Sequence, residues 1–172
     1  VPTTATQNDA SDDTNRVILP RDGPIGNVTQ WRALKIWMER LKGGDSVCVI
    51  DGPAGVGKTF AVHAIARQCG VGVTEMNGTD YRDAASIRET CLMMLGSIKR
   101  QKKLVLFLDD AGSMEADAFG AFVELAMKGE VPRTVIVFDD YWCKPARPLH
   151  EIVLPTQMIR FWSVPNYDIS HH

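Results

Sequence analysis

Closely spaced cysteine and histidine ligands are missing from this 172-residue sequence. Structural zinc sites are built from such clusters, and neither a CxxC pair nor a His/Cys group occurs here. We therefore expect no zinc-binding domain, and we expect the thiols to stay reduced, as in an intracellular compartment. The four cysteines are Cys48, Cys69, Cys91 and Cys143.

Long apolar runs and a strong charge of one sign are also missing. No run approaches the roughly 18 apolar residues that a membrane-spanning helix needs, and no segment resembles a secretory signal. The formal net charge of -2 excludes a polycation that coats nucleic acid along its whole surface. With 45% hydrophobic and 23% charged residues, the composition is typical of a globular domain.

The composition divides the chain into three parts. Residues 1–16 are mostly small and polar and are predicted to be a disordered tail. Residues 17–165 carry the patterned apolar sequence and are predicted to form one folded core. Residues 166–172 are expected to be a C-terminal tail or the stub of a tag, since they end in His171 and His172.

Within the core, short apolar runs alternate with segments of helical periodicity, which predicts an α/β fold. The first predicted helix is capped by Thr29 and ended by Gly43 and Gly44. The pattern favours a three-layer arrangement around a five-stranded, mostly parallel sheet. Strands are predicted at 47–50, 71–76, 104–108, 134–138 and 158–162, and further helices at 58–69, 84–100 and 116–128.

A phosphate-binding motif lies between the first strand and the second helix. Residues 52–59 read GPAGVGKT and match GxxxxGK[ST] in the strand–loop–helix context that the motif requires. Glycines let successive backbone N–H groups point at phosphate oxygens, and the helix N-terminus adds its dipole. Lys58 is predicted to reach the β- and γ-phosphates of ATP, and Thr59 to bind Mg²⁺. The predicted nucleotide-binding residues are Gly52, Pro53, Ala54, Gly55, Val56, Gly57, Lys58 and Thr59.

Two acidic pairs follow later strands, at the sheet edge where α/β proteins bind ligands. Asp109 is predicted to bind Mg²⁺, and Asp110 to orient or deprotonate an attacking water. Asp139, which starts the second pair with Asp140, can contact the γ-phosphate or the water. For Asp139 the other interpretation is an acidic residue that only begins a turn.

Three segments of the chain, in their order and separation, resemble the core of AAA+ ATPases, a class of P-loop NTPase. They are the P-loop at 52–59 and the strand-plus-acidic segments at 104–110 and 134–140. The stretch EMNGTDYR at 75–82 is similar to a motif of clamp-loader subunits. The segments DD at 139–140, ARPL at 146–149 and MIRF at 158–161 resemble the large subunit of replication factor C-type clamp loaders and their alternative-loader relatives.

The resemblance implies an ATPase subunit of a hetero-oligomeric ring that opens a sliding clamp and places it on primed DNA, in the nucleus if the source is eukaryotic. It implies ATP and Mg²⁺ as cofactors and a segment at 17–27 that lies against the adenine. It also implies that the strands before Asp109 and Asp139 lie beside the P-loop strand. The family's Ser-Arg-Cys motif is missing, which suits a large-type subunit, and the chain ends too soon after Phe161 for the family's helical lid.

Two departures from the family bear on catalysis. Asp110 stands where the family has glutamate, and Asp139 stands where it has a sensor asparagine. The shorter side chain and the added negative charge lead us to expect tight ATP binding with slow hydrolysis. A second hypothesis is therefore an ATP-binding switch or assembly subunit that barely hydrolyses ATP.

Two further classes stay open on the P-loop alone. A small-molecule kinase would carry an arginine-bearing lid, and no such insertion is seen between Arg100 and Arg133. A DNA-unwinding AAA+ replication ATPase shares the P-loop, but the clamp-loader-like segments argue against it.

Overall fold

The computed structural model of the protein describes residues 26–40, 46–77, 83–98 and 103–164. The two predicted tails and the glycine pair at 43–44 lie outside these residues, as does most of the predicted adenine segment at 17–27. The helices are α1 (Val28–Glu39), α2 (Lys58–Gln68), α3 (Ala84–Ile98) and α4 (Ala116–Met127), the strands are β1 (Val47–Asp51), β2 (Gly72–Asn77), β3 (Leu104–Asp109), β4 (Thr134–Phe138) and β5 (Met158–Arg160), and short 3-10 helices span Ala111–Ser113, Lys144–Glu151 and Pro155–Gln157.

The five strands form one parallel sheet in the order β2-β3-β4-β1-β5, which confirms the predicted fold class. The expectation that the Asp109 strand lies beside the P-loop strand is wrong, because β4 lies between β1 and β3. Every residue of β4 is buried. Its apolar sequence TVIVF suits a central strand that is covered on both faces and paired on both sides.

Helices cover the sheet on both faces, so the core has two halves. In β3, Leu106 points into the half formed with α3 and α4, and Phe107 into the half formed with α1 and α2. Both side chains are fully buried. Such alternation explains why the strand is a continuous apolar run rather than an apolar–polar pattern.

The start of α1 differs from the prediction. The helix begins at Val28, and its N-cap is Asn27 in a left-handed conformation (φ 50°), not Thr29. The Asn27 amide makes no capping bond to α1; it donates to the Trp162 carbonyl (2.9 Å) and accepts from the Trp162 N–H (2.9 Å). A contact with a residue 135 positions away leaves no local sequence signal.

Within the described residues, no helix is long and apolar enough to cross a membrane.

Candidate nucleotide-binding site

The loop between β1 and α2 curls because its glycines take conformations that other residues avoid. Gly55 (φ 79°) and Gly57 (φ 88°) are left-handed, and a Cβ on either would meet no atom within 4 Å, so backbone conformation, not space, selects glycine. Gly52 differs, because a Cβ there would collide with the Phe161 carbonyl oxygen. The loop therefore starts in direct contact with the chain that leaves β5.

Lys58 is the first residue of α2, and its side chain is folded back over the loop. Its Nζ donates to the carbonyl oxygens of Gly52 (2.6 Å) and Pro53 (2.7 Å) and to Oδ1 of Asp139 (2.7 Å). The Lys58 side chain is 5% exposed, whereas that of Asp139 is 61% exposed. A nearly buried cation is thus held by its own loop and by one carboxylate from the end of β4.

Thr59 and Asp109 meet at the carboxyl edge of the sheet. The Thr59 hydroxyl donates to both carboxylate oxygens of Asp109, at 3.2 and 3.0 Å. Adjacent hydroxyl and carboxylate oxygens fit the hard-oxygen preference of Mg²⁺, which takes few protein ligands and completes its shell with phosphates and water. The described residues hold no cluster of three or more His, Cys, Asp or Glu suited to a metal ion.

Asp110 sits in a tight turn after β3. Its backbone is left-handed (φ 47°), a conformation that aspartate tolerates better than most residues. Its N–H donates to Oδ1 of Asp109 (3.0 Å), and its carbonyl accepts from the Ser113 hydroxyl (2.8 Å). The turn leaves the Asp110 carboxylate exposed and on the wall of the cavity.

These groups surround one open cavity of about 450 Å³ above the end of the sheet. Three of the predicted site residues do not line the cavity. Gly52 and Pro53 instead accept hydrogen bonds from Lys58 through their carbonyl oxygens, and Val56 packs against the core. Phe60 and Val137 also line it and were not predicted. The predicted residues that line the cavity are Ala54, Gly55, Gly57, Lys58, Thr59, Asp109, Asp110 and Asp139.

A buried aspartate supports the site and was missed by sequence reasoning. Asp51, the last residue of β1, is 3% exposed. Its Oδ1 accepts from the Tyr141 N–H (2.9 Å), and its Oδ2 accepts from Nε (2.9 Å) and Nη2 (2.7 Å) of Arg160. Asp51 thereby ties the base of the P-loop to the turn after Asp139 and to β5. The sequence signal that could have indicated this contact is that Asp51 and Arg160, of opposite charge, each end an otherwise apolar strand.

The fold and site define the class of protein. The model of the ATPase family associated with various cellular activities (AAA) matches residues 48–140, from β1 through the P-loop to the acidic pair after β4. The chain belongs to this family.

Among individual proteins, the chain is similar to replication factor C large subunits, which confirms the resemblance seen in the sequence. It is 30% identical over 129 residues to that of Aeropyrum pernix, covering 70% of this chain and 26% of the relative. It is 28% identical over 159 residues to that of Staphylothermus marinus, covering 88% of this chain and 36% of the relative. The chain thus spans roughly a third or less of these relatives' length.

Solved structures share the fold at lower identity. Cdc6p from Pyrobaculum aerophilum superposes with a TM-score of 0.61 at 19% identity, covering 85% of this chain and 47% of that chain. The Thermotoga maritima RuvB Holliday junction branch migration motor gives a TM-score of 0.54 at 16% identity, covering 77% and 43%. At these identities the likeness concerns the fold alone.

Proposed function

We propose that this protein binds MgATP and hydrolyses it slowly, as the ATPase core of a clamp-loader large-type subunit. The observation that carries the proposal is the convergence of Lys58, Thr59 and Asp109 on one cavity at the end of the sheet. A P-loop lysine beside a hydroxyl–carboxylate pair is the arrangement that P-loop NTPases use for a triphosphate and its metal ion.

The reaction would be in-line attack of water on the γ-phosphorus, with the bond to the β–γ bridging oxygen breaking to give ADP and phosphate. Lys58 would stabilise negative charge on the transferred group. Thr59 and Asp109 would hold Mg²⁺, which supplies positive charge at the phosphate oxygens when bound. Asp110, exposed on the cavity wall, would orient the water and accept its proton.

The assembly part of the proposal rests on the replication factor C relatives. We propose that the core extends over residues 17–165 and joins other AAA+ subunits in a hetero-oligomeric ring, with a neighbour's arginine completing the site. Through that ring it would act on a sliding clamp and primed DNA, inside the cell and in the nucleus of a eukaryote. This chain covers 26% of the Aeropyrum pernix relative and 36% of the Staphylothermus marinus relative.

A second candidate is a switch that binds ATP with almost no hydrolysis. Two observations favour it. The Asp110 side chain is one methylene shorter than glutamate, which limits its reach toward water. Asp139 places a carboxylate against Lys58, where the family has a neutral asparagine.

Phosphate release with saturating MgATP tests the proposed hydrolysis. We expect slow release by the wild type, at least a tenfold increase in Asp110→Glu, and loss of release in Asp110→Asn, because only a carboxylate can accept the proton. Lys58→Ala serves as the inactive control. Equal rates in the three Asp110 proteins would remove Asp110 from the mechanism, and release only from Asp110→Glu would favour the switch.

A further inference from the structure

The donors of Lys58 are fully engaged in the structure. An ammonium group has three N–H donors, and Lys58 directs one to each of the Gly52, Pro53 and Asp139 oxygens. Two of these acceptors are neutral carbonyls and the third is a carboxylate. A phosphate that binds Lys58 must therefore displace at least one of them.

The two kinds of acceptor are not equally easy to displace by an anion. Exchanging a carbonyl for a β-phosphate oxygen brings an anion to the cation and leaves the Lys58–Asp139 pair in place. A γ-phosphate, which also contacts the P-loop lysine, must share Lys58 with the Asp139 carboxylate. Like charges a few ångströms apart repel, and because 61% of the Asp139 side chain is exposed the repulsion is largest at low salt.

Carboxylates outnumber cations on the wall of the cavity. Asp109, Asp110 and Asp139 line it, and Lys58 is the single cationic side chain among the described lining residues. The Asp109 carboxylate lies beside the Thr59 hydroxyl, where a bound metal ion would neutralise its negative charge. Among the residues that the structure describes, Lys58 is the cation paired with Asp139.

We infer that Asp139 is a specificity-determining residue that makes the site bind a nucleoside diphosphate at least as tightly as the corresponding triphosphate. This inference rests on the proposed nucleotide site and deepens it. In the diphosphate complex the Asp139 carboxylate takes the place beside Lys58 that a γ-phosphate would otherwise take.

The test is calorimetry with ADP and with an ATP analogue whose β–γ bridge cannot be hydrolysed, both with excess Mg²⁺ at low salt. For Asp139→Asn and Asp139→Ala, affinity for the analogue relative to ADP should rise roughly tenfold or more, equivalent to about 1.4 kcal/mol. Asp140→Asn is the matched control. It removes the same charge from the next residue, which caps the Trp142 N–H (3.0 Å) instead of contacting Lys58, and it should leave the ratio unchanged.

Each result decides the inference. A wild type that binds the analogue more tightly than ADP would overturn it, as would an unchanged ratio in Asp139→Asn. A rise in Asp139→Asn but not in Asp139→Ala would also overturn it, because an amide hydrogen bond, not relieved repulsion, would then be the cause. If neither nucleotide binds the wild type, the proposed function fails instead, so the two failures are distinguishable.

Discussion

Two ion pairs lie at the same edge of the sheet with the same separation and opposite burial. Lys58–Asp139 and Asp51–Arg160 both have an N–O distance of 2.7 Å. In the first, the cation is 5% exposed and the anion 61%; in the second, the anion is 4% exposed and the cation 46%. The buried member of each pair determines what the pair can do.

The difference lies in what surrounds the buried charge. Lys58 faces an open cavity, so an incoming anion can replace its protein partners. Asp51 is enclosed, its oxygens accept from Tyr141 and Arg160, and it does not line the cavity. One pair is therefore exchangeable and suited to binding, and the other is fixed and suited to holding strands together.

The largest effect on stability is expected where a buried charge loses its partner. Arg160→Ala leaves the Asp51 carboxylate buried without its counter-ion and should lower the free energy of unfolding by ~3 kcal/mol. Asp139→Ala also takes a carboxylate from a buried charge, but Lys58 keeps two carbonyl acceptors and lines an open cavity that water can enter, so the loss should be below ~1 kcal/mol. Urea unfolding of both variants checks this order, and equal losses would show that the two pairs do not differ as described.

A smaller loss of stability is expected at Gly52, which connects the two ion pairs. Gly52 follows Asp51, and its carbonyl accepts from Lys58. In Gly52→Ala the new methyl would press on the Phe161 carbonyl, so we expect a loss of roughly 2 kcal/mol and weaker nucleotide binding. Gly120→Ala in α4 is the control. It has open space for a Cβ and should be neutral or stabilise the helix by up to about 1 kcal/mol.

The smallest effect is expected for a network with no buried member. Glu124 accepts from Lys128 and Arg88, and these bonds lower its pKa from 4.5 to about 2. Because the folded-state pKa is depressed, its contribution is present above about pH 4.5 and is lost as pH falls toward about 2. Solvent screens this exposed network, so the melting temperatures of wild type and Glu124→Gln should differ slightly at pH 6 and converge at pH 2. A large difference at pH 6 would contradict the link between burial and effect.

Sequence reasoning reached the parts of the molecule that are encoded locally. The P-loop is eight consecutive residues whose types follow from phosphate chemistry, and apolar runs such as LVLFL mark buried strands. Strand order is not local, which is why the expected place of β3 beside β1 was wrong.

The same limit explains the missed residues of the site. Asp51 and Arg160 are 109 positions apart, and the opposite charges that end their strands do not by themselves show that the two residues pair. For Asp139 the sequence left open a contact with the γ-phosphate, a contact with the attacking water, or the start of a turn. Its bond to Lys58 depends on β4 lying directly beside β1. Contacts across the sheet edge become visible only when the topology is known.

The most direct measurement is calorimetric titration of MgATP into the wild type and into Lys58→Ala. The account predicts one site per chain in the wild type and at least a hundredfold loss of affinity in the variant, about 2.7 kcal/mol, with the fold retained by circular dichroism. Equal affinity in the two proteins, or no binding to a folded wild type, would contradict the claim that this cavity is a nucleotide site.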